Sequence, residues 1–284
     1  MADDPPVRLD RTGYRLEFED DFEGRSLDRT RWLPHYLPQW SSRDASAARF
    51  EIGDSLLRLR IDRDQRPWCQ EWDGALRVSS LQTGVFAGPL GSPIGQHRFA
   101  PGVVVREAQE PMALYTPQYG LIECRARAVA DPANMVALWM IGYEDRPERS
   151  AEICIFEIFG RDVSADSTRI GMGVHPFGDP TIDDDFERVS VEFDAGEFHA
   201  YAAEWTPERV RFFVNEELVR EVARSPAYPM QLMLNVYEFA TGPAPTSAAD
   251  RYPKEFLVDW VRGWRHDQTA DQPGSNSTVG SGLG

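Results

Sequence analysis

Hydrophobic and polar residues alternate with a period of two along most of the chain. That is the signature of strands with one buried face. Tyr14–Glu19 alternates, with Leu16 and Phe18 separated by charges, and Leu57–Ile61 reads Leu-Arg-Leu-Arg-Ile. Leu121–Val129 places Glu123, Arg125 and Arg127 on one face. Val210, Phe212 and Val214 share a side, and Met230–Val236 and Phe256–Trp264 complete the series. Amphipathic helices are not evident; residues 28–32 predict at most one turn. Asn215-Glu216, between Val214 and Leu218, predicts a hairpin tip. Pro and Gly, 21 and 22 residues, punctuate the runs as a strand-and-turn chain requires. These features predict an all-β sandwich of two antiparallel sheets.

Segment Ala151–Gly160 reads AEICIFEIFG and departs from this pattern. Its apolar density predicts a strand buried on both faces, yet it carries Glu152 and Glu157. A buried carboxylate without a partner is costly. Residues five apart on a regular strand point to opposite faces. One β-bulge between them returns both acids to a common face, so a bulge is predicted near Ile155–Phe156. Cys154 then shares the face of Glu152, between the two acids. Paired carboxylates about 5–5.5 Å apart equip a retaining glycosidase, one as nucleophile and the other, with raised pKa, as acid and then base. The competing reading leaves one Glu in solvent and the other paired with an arginine.

The same segment, Glu152-Ile-Cys-Ile-Phe-Glu157, resembles the glycoside hydrolase family 16 signature Glu-Ile-Asp-Ile-x-Glu in its bulged, laminarinase-like form. Tyr119-Gly-Leu-Ile-Glu-Cys-Arg-Ala-Arg resembles the family's YGxxExRxK strand, and Ala137-Leu-Trp-Met its PAxWxL strand. Residues 198–214 resemble its FHxYxxEWTP hairpin, Leu234-Asn235 its cleft-facing LN, and Phe256–Arg262 its closing strand. The pieces run in order from Leu16 to Trp264. The resemblance implies a concanavalin A-like jelly roll with a concave substrate cleft. It further implies a retaining endo-β-glycosidase acting on a polysaccharide, most similar to β-1,3- or β-1,3-1,4-glucanases. Transglycosylation is the neighbouring chemistry, and a silent, lectin-like glycan-binding domain is the rival from another class.

Carried over residue by residue, Glu152 matches the nucleophile and Glu157 the acid/base. Cys154 stands where the family has Asp. Losing a like charge lowers the acids' pKa values, whereas losing a hydrogen-bond partner leaves Glu152 less well oriented. Trp139 matches a sugar-stacking position and Glu123 one that binds a sugar hydroxyl. Asn235 and Tyr237 share a face of their strand, and His175 is a candidate cleft histidine; each is expected to bind substrate. His199 is expected to be structural. Trp40, Trp68 and Trp72 lie in long loops as outer subsites or as covers of a sheet edge. Asp183-Asp184-Asp185 with Glu187 lacks calcium-loop spacing and is expected to be a solvated loop. Catalysis needs no cofactor in this reading. Some family members hold a structural calcium, and Asp259 is the matching position.

The chain has 284 residues, 30 Lys and Arg against 46 Asp and Glu, and a net charge of -16. That balance excludes nucleic acid and anionic membranes as partners. It also favours a neutral polysaccharide over a polyanionic one. Three cysteines, Cys69, Cys124 and Cys154, make neither a disulfide scaffold nor a CxxC zinc pattern. No signal peptide is evident, so a soluble, cytoplasmic monomer is expected, or an extracellular one if the chain is exported by another route. Residues 1–13 are read as an N-terminal extension, 14–266 as the jelly-roll domain and 267–284 as a disordered tail.

Overall fold

The computed structural model describes residues 6–240 and 251–267. The tail from residue 268 onward lies outside the described residues. The strands are β1 (Tyr14–Asp20), β2 (Arg49–Gly53), β3 (Leu56–Ile61), β4 (Arg77–Gln82), β5 (Gly84–Val85), β6 (Met112–Ala113), β7 (Gly120–Arg127) and β8 (Asn134–Gly142). They continue as β9 (Glu152–Phe159), β10 (Thr168–His175), β11 (Asp185–Val191), β12 (His199–Trp205), β13 (Val210–Val214), β14 (Glu217–Val222), β15 (Met230–Glu238) and β16 (Lys254–His266). One sheet has the order β11-β10-β9-β8-β15-β4. The other runs β14-β13-β12-β7-β16-β3-β2, with β1 also paired to β16. Every alternating run in the sequence falls on one of these strands.

The two sheets face each other across a single apolar layer. β7 contributes Ile122, Cys124 and Ala126, β8 contributes Leu138 and Met140, and β16 contributes Phe256 and Val258. From β9, Ile153, Ile155, Phe156 and Ile158 all enter this layer. Phe156 packs on Tyr201 at 4.6 Å and on Phe256 at 6.2 Å between ring centroids, tying the sheets together. Burying a side chain of this size contributes roughly 1.5–3 kcal/mol.

The β13–β14 hairpin turns at Asn215 and Glu216, both with positive φ (48° and 69°), as a two-residue turn of this hand requires. Residues 28–32 form one turn, closed by Trp32 N–H donating to Asp28 O at 3.0 Å. The described part of the N-terminal extension is tied to the sandwich. Leu9 N–H donates to Glu216 O and Leu218 N–H to Val7 O, and Leu9 packs with Leu121, Ala202 and Phe213 on the outer face of the eight-stranded sheet. No helix among the described residues is long and apolar enough to cross a membrane.

Candidate active site

The bulge in β9 builds the site. Across from β8, Cys154 pairs with Trp139 and Phe156 with Leu138, so Ile155 is the extra residue. Across from β10, Glu157 pairs with Gly171 and Cys154 with Gly173, which places two residues of β9 against Met172 alone. Ile155 and Phe156 therefore both point into the core, and Glu157 turns to the face of Glu152 and Cys154. Gly171 makes room for it: a Cβ there would lie 2.4 Å from the Phe186 ring and 3.3 Å from Glu157 Cβ.

Glu152, Glu157, His175, Pro176 and Phe177 line a cleft of about 370 Å3 on the outer face of the six-stranded sheet. Glu152 is 5% exposed. Burial pushes the Glu157 carboxyl up, and the charge of Glu152 adds to this; His175, Arg188 and the Cys154 thiol oppose it. Cys154 Sγ lies 3.8 Å from Glu157 Oε1 and is fully buried, which pushes the thiol up further than its neighbours do. His175 lies across from Glu152 in the β9–β10 ladder. Its Nδ1 meets Asp184 Oδ1 at 2.8 Å, and its ring stacks on Phe186. Asp184 is thus drawn to the site, while its neighbours Asp185 and Glu187 pair with Arg220.

Two residues of the site were not visible in the sequence. His97, on the loop between β5 and β6, brings Nδ1 to 2.8 Å from Glu152 Oε1. The contact is close but not well aligned, because Glu152 Oε1 has no aligned donor among the described residues. Burial alone would push His97 down, but the charge of Glu152, the contact with it and the charge of Glu144 outweigh that and the net direction is up. Glu144, beyond the end of β8, accepts the His97 backbone N–H at 2.5 Å. Burial pushes its carboxyl up to about 7. Glu144 thus holds the His97 backbone, while the His97 ring faces Glu152. The His97 ring also packs on Trp139 and on Phe177. Phe177 is half exposed and links the cleft to a neighbouring hollow of about 510 Å3 lined by Ile94, His97, Arg98, Glu144 and Ser150. The only signal in the sequence was a histidine inside a Gly/Pro-rich loop.

Trp139 is on the cleft face, with Nε1 donating to Asn235 Oδ1 at 2.7 Å. Asn235 Nδ2 is buried with no partner among the described residues. Tyr237 follows on the same face and shares a hydrogen bond with Tyr36. Trp139 and Tyr237 pack in one buried cluster with Tyr36, Trp40 and Trp68 on the face that carries Cys154. Trp40 and Trp68 are buried covers, not exposed outer subsites, and Trp72 alone of the three is partly exposed.

One expectation is corrected. Glu123 does not reach the cleft. It lies on β7 in the opposite sheet, on the outer face, and is gripped by Arg11 through Nε and Nη2, the latter at 2.6 Å. Alternation placed it with Arg125 and Arg127 but could not say which face of the sandwich they share. The Asp259 carboxylate is paired with Arg125, and no group of three or more ligating side chains includes it among the described residues. His199 is structural, with Nε2 against Asp194 O at 3.0 Å and its ring on Phe193. All three cysteines are free and buried.

No curated protein matches the chain significantly in sequence. Among solved structures, it is similar to a GlcNAcα1-4Gal releasing endo-β-galactosidase from Clostridium perfringens, with 30% identity and a TM-score of 0.78 over 93% of this chain. The chain spans 65% of the length of that protein. It shares its fold with the catalytic domain of an endo-1,3-β-glucanase (laminarinase) from Thermotoga petrophila RKU-1, at 15% identity and a TM-score of 0.62 over 89% of this chain and 98% of that one. A laminarinase from Flavobacterium sp. UMI-01 gives 17% identity and a TM-score of 0.60 over 88% of this chain and all of that one. The sequence profile of the glycosyl hydrolases family 16 matches residues 114–262, more than half of the chain, β9 included. The chain belongs to glycosyl hydrolases family 16.

Proposed function

We propose that the protein is a retaining endo-β-glycosidase with Glu152 as nucleophile and Glu157 as acid/base. The observation that carries this reading is the bulge, which turns both acids into one cleft, where burial pushes the Glu157 carboxyl up. Glu157 protonates the glycosidic oxygen while a Glu152 oxygen attacks the anomeric carbon. The C–O bond to the leaving sugar breaks, and a glycosyl ester forms on Glu152. Glu157, now ionised, takes a proton from water, which attacks the same carbon and releases Glu152. Inversion twice gives net retention. His97 holds Glu152, a role the family's Asp cannot play here because Cys154 replaces it.

For the substrate, 30% identity to an endo-β-galactosidase outweighs 15–17% identity to laminarinases, which speaks only for the fold. We therefore place internal β-galactosidic linkages first and β-1,3- or β-1,3-1,4-glucans second. The test is a panel of laminarin, lichenan, agarose, galactan and a glycan ending in GlcNAcα1-4Gal, read by new reducing ends and by the anomer first released. Cleavage with retained β-configuration is expected, abolished by Glu152→Gln and reduced 10²–10⁴-fold by Glu157→Gln. Binding without turnover on every glycan refutes the enzyme reading and supports the lectin-like one, which the loss of Asp at position 154 favours. Inverted product, or full activity in Glu152→Gln, refutes the assignment. Transfer products in place of free sugar mark the transglycosylase branch.

A further inference from the structure

Cys154 changes the chemistry of the cleft in a way that catalysis does not use. One ligand-capable atom from each of Glu152, Cys154 and His175 lies within 4.8 Å of the other two. With Asp at position 154 this set would present mainly hard oxygens. A thiol and an imidazole together select borderline and soft cations over Ca2+ or Mg2+.

Three independent features suit such an ion. Asp184 occupies His175 Nδ1 at 2.8 Å, which leaves Nε2 as the free nitrogen. A carboxylate behind an imidazole is the arrangement that orients metal-ligating histidines. Glu152 is buried, and the one group at its Oε1, His97 Nδ1 at 2.8 Å, is not aligned as a donor, so an ion would compete with that ring for the carboxylate. Glu152 and His175 both line the open cleft, so an ion has a route in from solvent. Surrounding charge also favours a cation, since Asp184 backs His175 in a chain of net charge -16.

We propose that the catalytic cleft is a Zn2+ site formed by a Glu152 oxygen, the Cys154 thiolate and His175 Nε2. Glu157 Oε1, 3.8 Å from Sγ, stands at the fourth position. Tetrahedral zinc with Zn–S of about 2.3 Å and Zn–N of about 2.0 Å separates its ligands by roughly 3.6 Å. The set therefore closes by no more than about 1 Å on binding. Binding is a proton exchange: Cys154–SH and Zn2+ give Cys154–S–Zn and a proton released to water. A Glu152 carboxylate held by zinc cannot attack an anomeric carbon, so Zn2+ is a reversible inhibitor. That consequence rests on the function proposed above, but the binding does not.

The full chain, stripped with chelator, is dialysed against Zn2+, and Co2+ serves as a spectroscopic probe. One ion per chain, a thiolate-to-cobalt charge-transfer band and no competition from Ca2+ are expected. Cys154→Ser and, separately, His175→Ala lose the ion while keeping the far-UV circular dichroism of the parent. Asp184→Asn weakens binding 10–100-fold. Where glycan cleavage is present, Zn2+ suppresses it, chelator restores it, and Cys154→Asp is at least tenfold less sensitive. Absence of bound ion in folded parent protein, a bound cobalt without the thiolate band, or equal affinity in folded Cys154→Ser overturns the site. A protein that binds zinc but cleaves no glycan refutes the proposed function alone, and one that cleaves without binding zinc refutes the site alone.

Discussion

Glu144 stores a pH dependence that can be measured without any substrate. Its carboxyl is 9% exposed and pushed from an ordinary 4.5 up to about 7, by burial first and then by Glu152, against the opposing His97 N–H and ring charge. Between these two values the folded state holds a proton that the unfolded chain has lost. Stability therefore falls as pH rises from about 4.5 to 7 and stays low above it. A shift of about 2.5 units at ~1.4 kcal/mol each gives a deficit of about 3 kcal/mol at pH 8. Glu144→Gln removes the charge but keeps an oxygen to accept the His97 backbone N–H. The variant is expected to match the parent within about 1 kcal/mol at pH 4 and to exceed it by about 3 kcal/mol at pH 8. For a chain of this length the gain at pH 8 corresponds to roughly 6 °C in Tm. Urea unfolding at both pH values, followed by tryptophan fluorescence, reads the difference. A gain that is the same at pH 4 and pH 8, or a loss at pH 8, refutes the placement of Glu144 as a buried acid against His97.

Arg11→Ala leaves Glu123 buried without its cation. Because Arg11 is itself about a third exposed, the cost is expected at the low end for a broken buried pair, about 2–3 kcal/mol in urea unfolding. Activity per folded molecule should not change, and a fall in kcat/KM at full folding would return Glu123 to the cleft. Phe177→Ala removes a half-exposed ring between the cleft and the adjoining hollow. KM on the best glycan is expected to rise about tenfold with kcat within twofold, the value of one lost stacking contact. Gly173→Ala forces a Cβ to 2.1 Å from Asp185 O at a φ of 148°. It should cost about 3 kcal/mol or prevent accumulation of folded protein, as read by circular dichroism and thermal melting.

Strands were legible because burial on one face writes itself as alternation, and the boundaries of β13 follow directly from Val210, Phe212 and Val214. The bulge was legible for a related reason: two acids five apart on a strand share a face only if one extra residue lies between them. His175 and Trp139, on the strands flanking β9, and Asn235, one strand further, were named through the family resemblance rather than from the alternation. Glu123 was misplaced, because period two gives a face but not which side of the sandwich that face looks onto. The long loops were opaque. Trp40 is fixed by its Nε1 donating to Gln96 O, and Gln96 by Gln231, which lie 56 and 135 residues away along the chain. His97 and Glu144 meet across 47 residues, with no local pattern to announce it. Contacts of that separation are decided by packing, not by neighbours in sequence.

The extra residue in β9 leaves an unusual mark on how this protein can change. Losing one residue from a buried strand ordinarily reverses every side chain beyond the cut and drives polar groups into the core. Here the neighbours count only one residue, Met172 or its equivalent step in β8, where β9 spends two. Excision of Phe156 would restore plain alternation, with Glu152, Cys154 and Glu157 still outward and Glu157 still opposite Ala137 and Gly171. The strand is thus insensitive to one deletion at one place. What is lost is a core ring between Tyr201 and Phe256 and the local twist, while the two acids keep their partners.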